Sequence, residues 1–315
     1  MEGNTENRMA FLRDEIARLK KEKNALIMAH YYQREEIQEI ADFIGDSLAL
    51  ARQAAKTDAD VIVMCGVHFM GETAKILCPD KKVLVPDLEA GCSLADSCPP
   101  EEFEKFINDH PGYTVVSYVN TSAAVKALTD IVVTSGNARK IIEQLPEDEK
   151  IIFGPDRNLG EYINSVTGRN MLLWKGACHV HDRFSLQKIL DMKKEHPGAK
   201  ILVHPECQRP LQLIADKVGS TAALLEFAQT DDASEYIVVT ESGILFEMQR
   251  KCPGKKLLAA PAEDAECQCN ECDFMKLNTL EKVYRALRDG KPEILVDEKI
   301  AEKAVKPIER MLAMS

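Results

Sequence analysis

Short β-branched apolar runs alternate with amphipathic stretches along the chain: ALIMAH, DVIVMCG, KKVLVPD, YTVVSYVN, KIIFGPD, MLLWKG, KILVHPE, EYIVVTE and KKLLAAP. Strands separated by helical segments predict a parallel α/β architecture. The runs are nearly continuously apolar, as in sheets covered on both faces. An internal period underlies the alternation. ALIMAHYYQ (25–33), YTVVSYVNT (113–121) and KILVHPECQ (200–208) are strands that end in a polar cluster. Shifting the register by 88 and then 86 residues superposes His30, Tyr118 and His204. The same shifts bring ADFIGDS (41–47) onto TDIVVTS (129–135) and ADKVGST (215–221). Asp42, Asp130 and Asp216 then align, as do Ser47, Ser135 and Thr221, each 17 residues after its strand-end residue. IVMCG (62–66), IIFGP (151–155) and IVVTE (237–241) follow in step, and so do VLVPD (83–87), MLLWK (171–175) and LLAAP (257–261).

The repeat predicts three copies of one αβα unit, each running strand, helix, short strand, helix, strand, helix, strand. The expected units are residues 1–110, 111–198 and 199–272. A helix over 8–23 leads into the first strand, and helices within 273–315, punctuated by Gly290 and Pro307, are expected to pack on unit one. Units this small should pack on one another. In parallel sheets ligands collect outside the carboxyl ends of the strands. Three units set about a pseudo-threefold axis would therefore aim those ends at one central cavity.

The charge and composition narrow the function classes. A formal net charge of −11 argues against general nucleic-acid binding, which needs a basic face. No apolar run is long enough to span a bilayer, and MEGNTENRMAFLRDEIARLKKEKN lacks the apolar core of a signal peptide. A cytoplasmic location follows as the expectation, in a compartment that keeps thiols reduced. Ten cysteines there point to a metal or catalytic thiol rather than a disulfide framework. Cys65, inside VIVMC, and Cys78, at a helix end, read as buried small hydrophobes.

His30, Tyr32, Tyr118, Asn120, His204 and Glu206 occupy matched strand-end positions, two per unit. His and Glu are natural acid–base groups near neutral pH, and a Tyr hydroxyl can donate to a developing oxyanion. Ser47, Ser135 and Thr221 each precede a helical stretch and read as N-caps. Three helix N-termini facing a cavity would favour a carboxylate-rich or phosphorylated ligand. Neither a GxxxxGK[ST] nor a GxGxxG loop follows a strand, so nucleotide binding is not indicated. Cys92 and Cys178 follow the last strands of units one and two, and AECQCNEC (265–272) holds the same place in unit three. Three convergent thiolates suit a soft metal site. Three ligands to a [4Fe–4S] cluster leave one iron open as a Lewis acid, the requirement for a dehydration. Structural zinc within CxCxxC is the alternative. By strict offset Cys267 or Cys269 lies closer to the third-ligand position than Cys272, so the spacing leaves that ligand open.

Together these residues resemble the quinolinate synthase family. The likeness runs over essentially the whole chain through AHYYQ (29–33), GDS (45–47), MGETAKIL (70–77), GCS (91–93), SYVN (117–120), TSGNA (134–138), GPDRNLG (154–160), WKGACHVH (174–181), VHPEC (203–207), GST (219–221), TESGIL (240–245) and CDFMKLNTL (272–280). It implies three homologous α/β domains around one [4Fe–4S] cluster per chain. It also implies condensation of iminoaspartate (iminosuccinate) with dihydroxyacetone phosphate to quinolinate, phosphate and water, in de novo NAD biosynthesis. An L-aspartate oxidase or dehydrogenase would hand over the first substrate. Carried over by motif, the cluster ligands are Cys92, Cys178 and Cys272. The implied substrate contacts are His30, Ser47, Tyr118, Val119, Asn120, Ser135, His181, His204, Pro205, Glu206 and Thr221. Tyr32 resembles the catalytic tyrosine, with Glu206, His204 and His30 as its acid–base companions. Many members carry CxxCxxC where this chain has CxCxxC, so Cys267 and Cys269 receive no role. Two rival readings are an iron–sulfur aminocarboxypropyl transferase of the diphthamide type and a non-catalytic iron–sulfur sensor. The anion-directed helix ends speak against the first, and the repeated acid–base residues against the second.

Overall fold

A computed structural model describes residues 2–263 and 270–315. Cys267 and Cys269 lie outside the described residues. Among the described residues twelve strands form three separate four-stranded sheets. The first holds β1 (Ala25–His30), β2 (Phe43–Gly45), β3 (Val61–Cys65) and β4 (Lys82–Leu84). The second holds β5 (Thr114–Tyr118), β6 (Ile131–Val133), β7 (Ile151–Gly154) and β8 (Leu172–Leu173). The third holds β9 (Lys200–Val203), β10 (Lys217–Val218), β11 (Glu235–Val239) and β12 (Lys256–Ala259). Every pairing is parallel, and the order is the same each time: β2-β1-β3-β4, β6-β5-β7-β8 and β10-β9-β11-β12. The repeat read from spacing is thus a repeat of topology.

The three aligned aspartates have one local task. Asp42, Asp130 and Asp216 accept the backbone N–H of Ile27, Val115 and Ile201 at 2.9, 2.8 and 2.7 Å. Each pins the start of a short second strand to the strand before it. The first, second and fourth strands keep the register expected from the repeat. The third strand of the last unit does not. Ala29 pairs with Cys65, Ser117 with Gly154 and Val203 with Val239, so Tyr236, not Ile237, matches Ile62 and Ile151. An apolar run such as YIVV carries no signal that distinguishes one register from the next.

Alternation along the strands divides the core. Met28, Val116 and Leu202, from the first strands of the three sheets, join one cluster together with Ile62, Phe153 and Val238. Their neighbours Ile27 and Ala29 turn to the other face and meet Leu12, Ile16, Val283 and Leu287. Ile201 and Val203 likewise meet Phe184 and Ile189, and Val115 meets Phe103 and Trp174. One face of every sheet therefore feeds a shared core, while helices cover the other face.

The leading helix spans Glu2–Glu22. The expected packing of the whole tail on unit one is too narrow. Helix Leu280–Asp289 does lie on the leading helix and β3, but helix Glu298–Met314 bridges units, touching β6 and the helices Ala123–Lys126 and His68–Leu77. Among the described residues no helix is long and apolar enough to cross a membrane.

Candidate active site

The carboxyl ends of the first strand in all three sheets open on one cavity. His30 and Tyr32, Tyr118 and Asn120, and His204 and Glu206 line it in pairs. Ser47, Ser135, Thr221 and His181 also line it, as do Cys92, Cys178 and Cys272. Val119 and Pro205 do not. Their carbonyls are turned away, accepting Lys126 Nζ and Gln212 Nε2 at 2.8 and 2.9 Å.

The two strand-end histidines share a geometry. Tyr32 N donates to His30 Nδ1 at 3.2 Å, and Glu206 N donates to His204 Nδ1 at 3.3 Å. A turn after each strand, closed by Gln33 N to His30 O and by Cys207 N to His204 O, both at 3.0 Å, brings the amide back over the ring. With Nδ1 accepting, the proton of the neutral ring sits on Nε2. Burial holds both rings neutral by pushing their pKa down to about 3.

Glu206 is the centre of a hydrogen-bonded chain. Tyr118 OH donates to its Oε1 at 2.5 Å, and His181 Nδ1 lies 3.1 Å from its Oε2. His181 Nε2 lies 2.9 Å from Thr240 Oγ1, which is 2.6 Å from Tyr32 OH; that hydroxyl in turn is 2.9 Å from Thr221 Oγ1. Burial alone would raise the Glu206 carboxyl. The opposing pull of His181 and His204, with hydrogen bonds from His181 and Tyr118, outweighs it and holds Glu206 below the usual carboxylate range. Burial, reinforced by Glu206, pushes Tyr118 well above the usual tyrosine value, so it remains a donor. Burial also raises Tyr32. Thr221, Tyr32, Thr240, His181, Glu206 and Tyr118 thus form one continuous chain of hydrogen-bonding groups across the cavity wall.

The expectation that Ser47, Ser135 and Thr221 cap helices is corrected. Ser47 and Thr221 are the first helical residues of Ser47–Lys56 and Thr221–Thr230. The caps are the residues just before them: Asp46 accepts from Ala49 N at 3.0 Å and Ser220 from Ala223 N at 3.3 Å. A cap must stand outside the first turn to reach back to it, and this arrangement leaves the next hydroxyl uncommitted to the helix. Ser135 sits in the turn before Ala138–Glu143, whose cap position, Asn137, makes no side-chain cap bond. Asn120 Oδ1 is buried in the cavity wall with no partner among the described residues.

All cysteines among the described residues are free. Burial pushes the thiol of Cys92 up to about 12, with Cys272 adding to it, and that of Cys272 up to about 11. Cys178 is raised well above the usual value by burial, then by Glu206 and Cys92. All three cysteines line the same cavity. Such an all-sulfur set from three loops is soft and matches iron–sulfur ligation with one position open. Separately, Cys178, His181 and Glu206 bring their ligand atoms within 4.8 Å of one another and could hold a single metal ion.

The family described as Quinolinate synthetase A protein matches residues 14–313. This chain belongs to that family. A quinolinate synthase of Synechococcus sp. is 56% identical over 300 residues, covering 95% of this chain and 94% of the relative. Another, of Thermosynechococcus vestitus, is 57% identical over 300 residues with the same coverage. A third, of Chloroherpeton thalassium, is 55% identical over 302 residues, covering 96% and 94%.

Seen as a quinolinate synthetase A family member, the chain holds site groups that spacing did not single out. Thr240 joins the tyrosine and histidine parts of the chain at Glu206. Lys126, fully buried, donates to the carbonyls of Val119 and Thr121 on either side of Asn120, and burial pushes its pKa down to about 8. Asp156 and Glu241 reach the cysteine loops. Their sequence signal was a shared position two residues past the third strand, hidden by the one-residue slip in unit three.

Proposed function

We propose that this family member is a quinolinate synthase, a transferase that condenses iminoaspartate with dihydroxyacetone phosphate to give quinolinate, phosphate and water. The reading rests on one observation above others: three cysteines from three related units meet in the cavity that also carries the Tyr32–His181–Glu206–Tyr118 chain. Relatives bearing that name align over nearly the entire chain. In this reading the three units stand about a pseudo-threefold axis, the chain acts in the cytoplasm in NAD biosynthesis, and an aspartate-oxidising enzyme supplies the imine.

Cys92, Cys178 and Cys272 would hold one [4Fe–4S] cluster, which when bound supplies an open iron acting as a Lewis acid toward an oxygen ligand. His30 and His204 present Nε2–H donors to the carboxylates, helped by the hydroxyls of Ser47, Ser135 and Thr221 near helix N-termini. Asn120 Oδ1 accepts from the substrate amine or a triose hydroxyl, the donor it lacks among the described residues. The enamine carbon attacks the triose carbon that loses phosphate. Glu206, ionised, takes the proton released during ketose–aldose isomerisation, and the chain through His181 and Thr240 connects it to Tyr32 without bulk water.

Anaerobic purification with iron and sulfide analysis, followed by an assay of iminoaspartate with dihydroxyacetone phosphate, tests this directly. The expected result is about four irons per chain and quinolinate formation, both lost in Cys92→Ala. A Cys92→Ala protein that kept its cluster and its turnover would sink the assignment.

A further inference from the structure

We infer that Asp156 and Glu241 are positioning residues for Cys178 and Cys272, each holding its cysteine loop through the cysteine's own backbone amide. The inference rests on the reading of those cysteines as cluster ligands. Cys178 N donates to Asp156 Oδ2 at 3.2 Å, and Cys272 N donates to Glu241 Oε1 at 3.0 Å. The strand pairings place both carboxyls at the same point of the repeat, two residues beyond Gly154 and Val239. Both are fully buried.

Each carboxyl has a second oxygen tied to the adjoining helix or turn. Leu159 N donates to Asp156 Oδ1 at 2.7 Å, capping helix Arg157–Thr167, and Gly243 N donates to Glu241 Oε2 at 2.7 Å. Lys276 Nζ adds a contact to Glu241 Oε1 at 3.0 Å and donates to Tyr32 O at 2.7 Å. One rigid planar group thus fixes the strand end and the cysteine loop together. The approach is close: a methyl added at Gly176 would come within 2.6 Å of Pro155 O, and one at Gly243 within 2.8 Å of Glu241 Oε2.

Unit one shows what the position needs when the cysteine amide is not held this way. Val67 stands there, two residues past Cys65, and offers no carboxyl; the Cys92 loop has the main-chain tie common to all three units, His68 N donating to Ala90 O at 2.7 Å as Arg157 N does to Gly176 O at 2.8 Å and Ser242 N to Asn270 O at 3.1 Å. An apolar residue therefore suffices for packing at this point. Burying a carboxyl is costly unless its oxygens are satisfied. In units two and three every oxygen has a donor, and one of those donors is a cysteine amide. Groups that orient ligand residues in this way commonly govern how well a metal group is held.

Asp156→Asn separates the two duties, because Asn caps a helix as well as Asp does. Its carbonyl can keep Leu159 N, which leaves its NH₂ facing the Cys178 N–H, donor against donor. Hydrogen–deuterium exchange of cluster-free protein and iron and sulfide content after anaerobic loading are measured for the wild type and the variant. Asp297→Ala, which removes a surface cap far from the cavity, serves as the control. The expected result is exchange about tenfold faster in peptides spanning 176–182, with iron content below about half of wild type and an altered signal of the reduced cluster in electron paramagnetic resonance. The control should change none of these. Glu241→Gln should do the same for peptides spanning 272–276. Wild-type exchange and iron content in Asp156→Asn would overturn the inference. A wild type that takes up no iron would overturn the cluster reading instead, and the exchange contrast would then still establish or refute the hold on the loop.

Discussion

Glu206 receives Tyr118 on one oxygen and faces His181 on the other, so it can neither rotate nor be relieved of charge without disturbing both. Glu206→Gln keeps the shape but removes the base. Turnover is expected to fall by about 10²–10⁴-fold with KM within a few fold, as read from initial rates of quinolinate formation. A near-wild-type kcat would exclude Glu206 from proton transfer. The buried histidines give a second prediction. His30 and His204 are neutral in the fold down to about pH 3, whereas an unfolded histidine takes a proton below about 6.5. The unfolded chain thus binds more protons between these values, so stability falls as pH falls through this window. Each ring contributes a slope of about 1.4 kcal/mol per pH unit. Urea melts from pH 7 to 4 should show this slope, and His204→Gln should reduce it. These residues were legible because three copies carry polar groups at one strand position. Thr240 and Lys126 were not, since each matters only through partners that the fold brings to it.

At the ends of helices the division of labour between neighbours decides the outcome. Ser220 caps Thr221–Thr230 while Thr221 faces Tyr32, and Asp46 caps Ser47–Lys56 while Ser47 faces the cavity. Ser220→Ala is expected to cost about 1 kcal/mol, seen as a lower denaturation midpoint. Ser47→Ala should leave that midpoint in place and raise KM for the dicarboxylate. The reverse pattern would show that the hydroxyl read from the repeat is structural after all. Both residues of each pair are good caps by type. Sequence therefore marks the helix start only to within a residue, and the backbone angle that separates cap from first turn is set by the preceding strand.

At the scale of the molecule, three sheets of identical order turn one face each toward a common core. Val116, Ile151 and Phe153 of the middle sheet are buried in that core, among side chains of the other two. A fragment of residues 111–198 alone would expose them. It is expected to show no cooperative thermal transition by circular dichroism, and a sharp one would contradict the shared core. The sequence by itself determined the three-unit plan, the strand-end groups of each unit and the family, because apolar periodicity and repeated spacing are properties of the chain read locally. Only the tertiary structure decided which cysteine-bearing loop is tied to which carboxyl, how Tyr32 of unit one reaches Thr221 and Thr240 of unit three, and the register of β11. Those are contacts between residues far apart in the chain. A buried apolar strand looks alike in neighbouring registers until its partners fix it.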